Sequence, residues 1–137
     1  MREISARAAT PADAAVLVEF NRAMARETEN KELEPEVISA GVESLLTDPG
    51  HGFYMVAEAG GQVVGSLMIT TEWSDWRNGQ FWWIQSVYVR PEWRRQGVYR
   101  KLYQAVKQRA AGEGNVCGFR LYVEKKNLVA EKTYASL

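Results

Sequence analysis

The sequence has little of several features that define whole classes of protein. It has one cysteine, Cys117, which excludes an intrachain disulfide and suits a reducing compartment. Its 17 basic and 17 acidic residues give a formal net charge of zero, so no global field draws it to nucleic acid or to a membrane surface. No apolar run approaches the ~20 residues of a membrane span, and the N-terminal residues contain no apolar signal core. We therefore expect a cytoplasmic protein that binds neither nucleic acid nor membrane and whose residues 1–137 form a single domain.

The first third of the chain predicts a short strand followed by two helices. Residues 2–9 alternate weakly, as in a strand. Thr10 then fits an N-cap and Pro11 the first position of a helix. A second helix is expected to begin near Pro35 and to end at the turn sequence 48–50, Asp-Pro-Gly.

After the second predicted helix, the apolar residues first follow the pattern of β-strands. Residues 53–71 predict two strands that turn at Gly60-Gly61. Residues 81–89 are so apolar that we expect a central strand buried on both faces. A helix from Val98, a strand at 117–126 and a last helix at 127–137 follow. The strand–helix–strand unit at 81–123 implies a right-handed parallel crossover, so the sequence predicts an α/β fold of the α+β type around a mixed sheet.

Four arginines surround a single glycine in the segment RPEWRRQGVYRKL, residues 90–102. They are Arg90, Arg94, Arg95 and Arg100, and the glycine is Gly97. A helix that begins directly after a buried strand presents unpaired N–H groups, which together with arginines suit a phosphate or pyrophosphate. A solvated basic turn explains the same residues, and the local chemistry alone leaves both interpretations open.

Two motifs resemble those of one enzyme superfamily. The residues Arg94 to Tyr99 resemble the acetyl-CoA-binding signature [Q/R]-x-x-G-x-[G/A] of the GNAT N-acetyltransferases, with Tyr99 in place of the usual small residue. The segment NLVAEKTY resembles the later motif N-x-x-A-x-x-x-Y and carries Asn127, Ala130 and Tyr134. The predicted order of elements also resembles the GNAT fold, a mostly antiparallel twisted sheet with a parallel unit at the acetyl-CoA site.

The resemblance implies a function and a set of site residues. The activity is transfer of an acetyl group from acetyl-CoA directly to a primary amine of a small molecule or a peptide, without a metal. The cofactor-binding residues it implies are Val87, Tyr88, Val89, Arg94, Arg95, Gln96, Gly97, Val98, Tyr99, Arg100 and Asn127. Tyr134 would protonate the departing thiolate. The alternatives are that Tyr134 is a core tyrosine on an amphipathic helix and that Asn127 only caps its helix. The alternative function is a catalytically silent acyl-CoA-binding module.

The sequence indicates the general base and the acceptor site less clearly than the cofactor site. Gln85 and Ser86 cannot act as ordinary bases on the central strand, so the candidates are Glu27, Glu29, Glu72 and Asp75, each of which a solvated position also explains. His51 is expected in a loop, and Cys117 is expected to be a buried structural thiol. Trp73 and Trp76 are hypothesised to form an aromatic wall beside the acceptor pocket.

The strand that usually follows the last helix in this family is absent after Leu137. An incomplete sheet exposes an edge. We therefore expect C-terminal strands to be missing from the domain and a homodimer to be possible.

Overall fold

A five-stranded sheet organises the part of the chain that the structure describes. The computed structural model describes residues 3–121. The strands are β1 (Ser5–Ala8), β2 (Phe53–Ala59), β3 (Gln62–Ser74), β4 (Gly79–Val89) and β5 (Val116–Leu121). They lie side by side in chain order; neighbours are antiparallel except β4 and β5, which are parallel. The predicted mixed sheet and its parallel crossover are confirmed.

Within the described residues, three α-helices cover the two faces of this sheet. They are α1 (Ala14–Glu29), α2 (Pro35–Thr47) and α3 (Val98–Glu113). Leu17 of α1 and Val42 of α2 pack with Tyr54 and Val56 of β2 on what we call the α1 face. Apolar side chains of α3 pack on the opposite, α3 face, against residues of β2, β3 and β4. Both predicted N-terminal helices are present, although Pro11–Asp13 form a 3₁₀ turn and the α-helix begins only at Ala14.

The β3–β4 hairpin is longer than predicted. Pairing continues as far as Ser74 opposite Gly79, which leaves only residues 75–78 as the connection. Asn78 takes a left-handed φ of 47° there, a conformation that asparagine tolerates better than most residues. Glu72 and Trp73 pair with Phe81 and Gln80 as strand residues although the local sequence is polar.

Strand β4 is central but is not buried equally on both faces, so that prediction is corrected. Trp82 and Ile84 are 2% and 0% exposed on the α3 face. Their neighbours Phe81, Trp83 and Gln85 are only partly buried on the other face. The physical reason is that α2 packs on β2 and α1 meets β4 near its C-terminal end, where Phe20 contacts Tyr88, so the described helices leave the α1 face of the first half of β4 partly open.

Strand β5 is the last element that the structure describes. β5 begins at Val116, one residue before its predicted start, and is described to Leu121. The remainder of the predicted strand and the helix predicted at 127–137 lie outside the described residues. The missing C-terminal strands and the homodimer stay predictions.

Close packing of α3 on β3 depends on Gly65. A Cβ atom there would lie 2.8 Å from Val98 Cγ1 and 3.1 Å from the Tyr88 carbonyl oxygen. We expect Gly65→Ala to lower the free energy of unfolding by about 1–3 kcal/mol, as overpacking does. Gly41→Ala is the control, because a Cβ there meets nothing within 4 Å in helix α2 and alanine should add about 0.5–1 kcal/mol. Urea unfolding measures both changes; equal values for the two variants would contradict the close contact.

Candidate functional site

A loop of unpaired backbone donors follows β4. We call residues 94–98 the anion loop. Among the described residues, no hydrogen-bond acceptor is present for the N–H groups of Arg95, Gln96, Gly97 and Val98, and the first helical bond of α3 runs from the Lys101 N–H to the Gly97 carbonyl. Successive N–H groups in such a turn, at the positive end of a helix, form an anion-binding concavity.

The shape of the anion loop depends on two left-handed residues. Arg95 has φ 63° and Gly97 has φ 86°. A Cβ atom at Gly97 would meet no protein atom within 4 Å. Glycine is therefore required by the backbone conformation rather than by contact with the chain, and the space beside it is open to a ligand.

The four arginines of the segment differ in their partners. Arg90 Nη1 lies 3.2 Å from Glu19 Oε1 and Arg94 Nη2 lies 2.7 Å from Glu27 Oε1, so two of the four are paired with α1. Arg95 and Arg100 are exposed, and neither forms an ion pair with any of residues 3–121. Arg95 and Arg100 therefore supply the positive charge that is available to an anion.

The remaining side chains of the signature are turned away from the open side of the loop. Gln96 Nε2 donates to the Glu92 carbonyl at 2.8 Å. Val98 and Tyr99 are 2% and 7% exposed within the core, and Tyr99 stacks on Tyr103 with ring centroids 6.1 Å apart. The departure from the signature at Tyr99 thus places a ring in the core and does not fill the anion loop.

A bulge interrupts β4 directly before the loop. Ser66 lies opposite Tyr88, but Met68 lies opposite Gln85, so β4 carries one residue more than β3 between these pairs. Ser86 has φ 50°, and neither Ser86 nor Val87 has a register partner on β3. Such bulges re-aim the strand locally and are common beside active sites. Sequence reasoning missed this feature, because a serine gives no local signal for a left-handed backbone.

Of the four candidate bases, the structure brings Glu27 to the anion loop and Glu72 to the partly open α1 face. Glu72 Oε1 accepts a hydrogen bond from Trp83 Nε1 at 2.7 Å and lies 3.6 Å from Arg120 Nε. Glu29 and Asp75 are exposed at the end of α1 and in the β3–β4 connection. No local signal indicates the role of Glu27, because its partner Arg94 lies 67 residues away in the sequence.

Beside Glu27, the Tyr88 ring is 8% exposed and lies 4.9 Å from the Phe20 ring. Burial, and then the neighbouring Glu27 carboxylate, raise the pKa of Tyr88. Its hydroxyl therefore stays protonated at neutral pH.

Three other sequence predictions have mixed outcomes. His51 lies in the turn after α2, with Nε2 3.2 Å from Asp48 Oδ2, as expected for a loop residue. Cys117 is exposed, which corrects its predicted burial; it lies near the start of the outermost described strand, where packing is incomplete. Asn127 and Tyr134 lie outside the described residues.

Trp73 and Trp76 are 61% and 93% exposed at the hairpin end of β4. Trp73 pairs with Gln80, so about 30 Å of strand, at ~3.3 Å per residue, separates it from Val89 and the anion loop. The described residues do not bring these tryptophans together with the loop.

Two classes of site are absent from the part of the chain that the structure describes. Within residues 3–121, no three histidine, cysteine, aspartate or glutamate side chains lie close enough together to hold a metal ion. Over the same residues, every helix is too short or too polar to cross a membrane.

Comparisons with known proteins agree with this geometry. The model of the acetyltransferase (GNAT) family matches residues 15–137. A possible acetyltransferase from Clostridium difficile 630 is 46% identical, with a TM-score of 0.88 over 97% of this chain and 88% of that one. No curated protein matches the sequence.

More distant solved structures show the same fold. The ribosomal-protein-alanine N-acetyltransferase of Brucella melitensis biovar Abortus 2308 is 15% identical, with a TM-score of 0.81 over 98% of this chain and 90% of that one. The aminoglycoside N-acetyltransferase AAC(6')-Iy in complex with CoA is 16% identical, with a TM-score of 0.77 over 99% and 87%. With an anion loop between β4 and α3, a parallel β4–β5 pair and a family match over most of its length, the chain belongs to the GNAT family of acetyltransferases.

Proposed function

We propose that this protein is an acetyl-CoA-dependent N-acetyltransferase that transfers the acetyl group directly to a primary amine of a small molecule or a peptide. The observation that carries the proposal is the run of unpaired N–H groups at residues 95–98, placed after a bulged central strand and at the start of α3. The CoA complex of a structural neighbour agrees with the choice of ligand.

The residues present fit the pyrophosphate of the cofactor. Backbone donors from Arg95 to Val98 would bind its oxygens, and the exposed side chains of Arg95 and Arg100 would add charge-assisted hydrogen bonds. The open space beside Gly97 admits the ligand. By the family resemblance, the backbone of Val87–Val89 would pair with the pantetheine arm.

The cofactor supplies an activated thioester, and the chain's own groups orient it and move protons. A backbone N–H at Val87 would polarise the thioester carbonyl, as donors aimed at a developing negative charge do. Tyr134 would donate a proton to the departing thiolate. The acceptor must be bound as the neutral amine, a form that a lysine-like amine of pKa ~10.4 adopts about once in a few thousand molecules at pH 7. Cys117 has no part in this scheme, since it lies at the start of β5, the end away from the anion loop.

One observation favours a silent acyl-CoA-binding module as the alternative. Strand β4 carries no carboxylate: Gln85 occupies the α1 face near the bulge and donates to Thr70 Oγ1 at 2.5 Å. A neutral, hydrogen-bonded amide there cannot act as a general base.

Cofactor binding is the first test of the proposal. Thermal unfolding is measured with and without acetyl-CoA, with ADP as the control ligand. Acetyl-CoA at 100 times its Kd should raise the free energy of unfolding by about 2.7 kcal/mol, which is a few degrees for a domain of this size. No shift at millimolar acetyl-CoA would contradict both the transferase and the silent module.

Turnover separates the two functions. We expect Tyr134→Phe to lower kcat about 100-fold or more while the Kd for CoA is unchanged, because the variant loses a general acid but no binding contact. Steady-state kinetics with a panel of amines measures the first quantity and calorimetry the second. Tyr103→Phe, which removes a hydroxyl from α3, is the control and should retain kcat. Cofactor binding by the wild type without turnover of any amine would favour the silent module.

A further inference from the structure

We infer that Glu27 of α1 is a positioning residue for the cofactor, because its ion pair with Arg94 fixes the start of the anion loop. This inference rests on the proposed function. Glu27 donates nothing to the anion and need not touch the ligand; its effect on cofactor affinity acts through Arg94. Arg94, the first arginine of the signature, thereby holds the conformation of the loop and does not itself neutralise the charge of the phosphate.

The contacts of Arg94 join the anion loop to two elements, β4 and α1. Its Nε donates to the carbonyl of Val89, the last residue of β4, at 2.9 Å. Its Nη2 donates to Glu27 Oε1 at 2.7 Å. Its guanidinium lies over the Tyr88 ring, 5.4 Å from the centroid. A planar fork held at several points has little freedom to reorient, so the residue that begins the anion loop is tied to both β4 and α1.

The anion loop needs such external support. Arg95, directly after Arg94, is held in a left-handed conformation that non-glycine residues adopt only at an energetic cost. The loop is exposed from Arg94 to Gly97, and its hydrogen bonds to the preceding turn are few: Arg94 N–H to the Pro91 carbonyl at 3.3 Å and Gln96 Nε2 to the Glu92 carbonyl at 2.8 Å. Loss of the Glu27 contact should therefore let the loop relax away from the conformation that aligns its donors.

Because the Glu27–Arg94 pair is exposed, its effect on stability can be measured separately from its effect on cofactor affinity. The Arg94 and Glu27 side chains are 43% and 40% exposed, and exposed ion pairs contribute little to global stability. A second pair of the same kind provides a matched control. Glu19, on the same helix, pairs with Arg90, which precedes the loop and has its own backbone anchor through Nε to the Val63 carbonyl at 2.9 Å.

The experiment is titration calorimetry with CoA on the wild type, Glu27→Gln, Glu19→Gln, Arg94→Gln and the double variant Glu27→Gln/Arg94→Gln. We expect Glu27→Gln and Arg94→Gln each to raise the Kd about five- to tenfold and the double variant to be no weaker than Arg94→Gln alone, because both changes break one interaction. Glu19→Gln should change the Kd less than twofold. The Tm of Glu27→Gln should match that of Glu19→Gln, which a purely structural role would not produce.

The outcomes are distinguishable. A wild type that does not bind CoA overturns the proposed function, and this inference with it. A wild type that binds while Glu27→Gln keeps or gains affinity, or while the effects of Glu27→Gln and Arg94→Gln add in full, overturns the positioning role alone. If Glu27→Gln does not fold, Arg94→Gln against Glu19→Gln gives the same comparison, and equal affinities there overturn the inference.

Discussion

Replacing Gly97 with alanine is expected to weaken CoA binding at least tenfold, equivalent to about 1.4 kcal/mol. Gly97 has φ 86° and ψ 10° at the N-terminus of α3, a conformation in which a Cβ is disfavoured. No protein atom lies within 4 Å of the position that a Cβ would occupy, so the methyl group meets only the ligand. The loss of affinity therefore combines a distorted loop with an obstructed anion site.

Gly114 supplies a matched control for this experiment. It ends α3 with φ 79° and ψ −10°, and a Cβ there also meets nothing within 4 Å. Gly97→Ala and Gly114→Ala should lower the free energy of unfolding by a similar amount, about 1 kcal/mol, but only Gly97→Ala should change the Kd measured by calorimetry. Equal affinities in the two variants would show that the anion does not bind at residues 94–98.

Removing the Asp13 carboxylate is expected to produce the largest loss of stability. Its side chain is 8% exposed. Its oxygens accept hydrogen bonds from Arg7 Nη1 at 2.8 Å, from Arg7 Nη2 at 2.9 Å and from the Thr10 N–H at 2.8 Å. Arg7 also donates through Nε to Glu58 Oε1 at 2.5 Å, so one cation links β1, the 3₁₀ turn before α1, and β2. We expect Asp13→Asn to cost about 2–3 kcal/mol, less than for a fully buried pair because 41% of Arg7 is exposed.

The effect of Asp13→Asn should also depend on pH. The hydrogen bond from Arg7 is the main cause that lowers the pKa of Asp13 below its ordinary value. A carboxyl group whose pKa is lower in the folded state stabilises the protein fully above the unfolded pKa near 3.9, and this contribution is lost as the pH falls through the folded value. Urea unfolding should show a constant difference from wild type between about pH 8 and 5 and a narrowing difference below about pH 4.

An exposed pair provides the comparison for that series. Glu32 pairs with Arg26 at 2.7 Å, but its side chain is 67% exposed, so Glu32→Gln should leave the unfolding midpoint unchanged at each pH. A difference between Asp13→Asn and wild type that stays constant to pH 2.5 would show that the carboxylate does not stabilise the fold through its charge.

The sequence alone determined the elements whose signals are local. Pro35 and the turn sequence 48–50 bounded α2 correctly, and α3 begins at Val98 as predicted, because helix starts and stops depend on a few adjacent residues. The adjacent glycines Gly60 and Gly61 placed the β2–β3 turn, because both take positive φ values, 59° and 79°. The signature around Gly97 predicted a turn with a left-handed glycine before α3, which the structure shows with φ 86° at Gly97; anion binding there stays a prediction.

Tertiary structure decided everything that depends on residues distant in sequence. The partners of Arg90 and Arg94 lie 71 and 67 residues away, so no local pattern could divide the four arginines into two that hold α1 and two that remain free. The bulge at Ser86 arises from register against β3, and the open α1 face of β4 arises from where α1 and α2 pack. The loop could be predicted because its conformation depends on the backbone preferences of adjacent residues. The ion pairs of its arginines and the exposure of the neighbouring sheet face depend on how the sheet and helices pack.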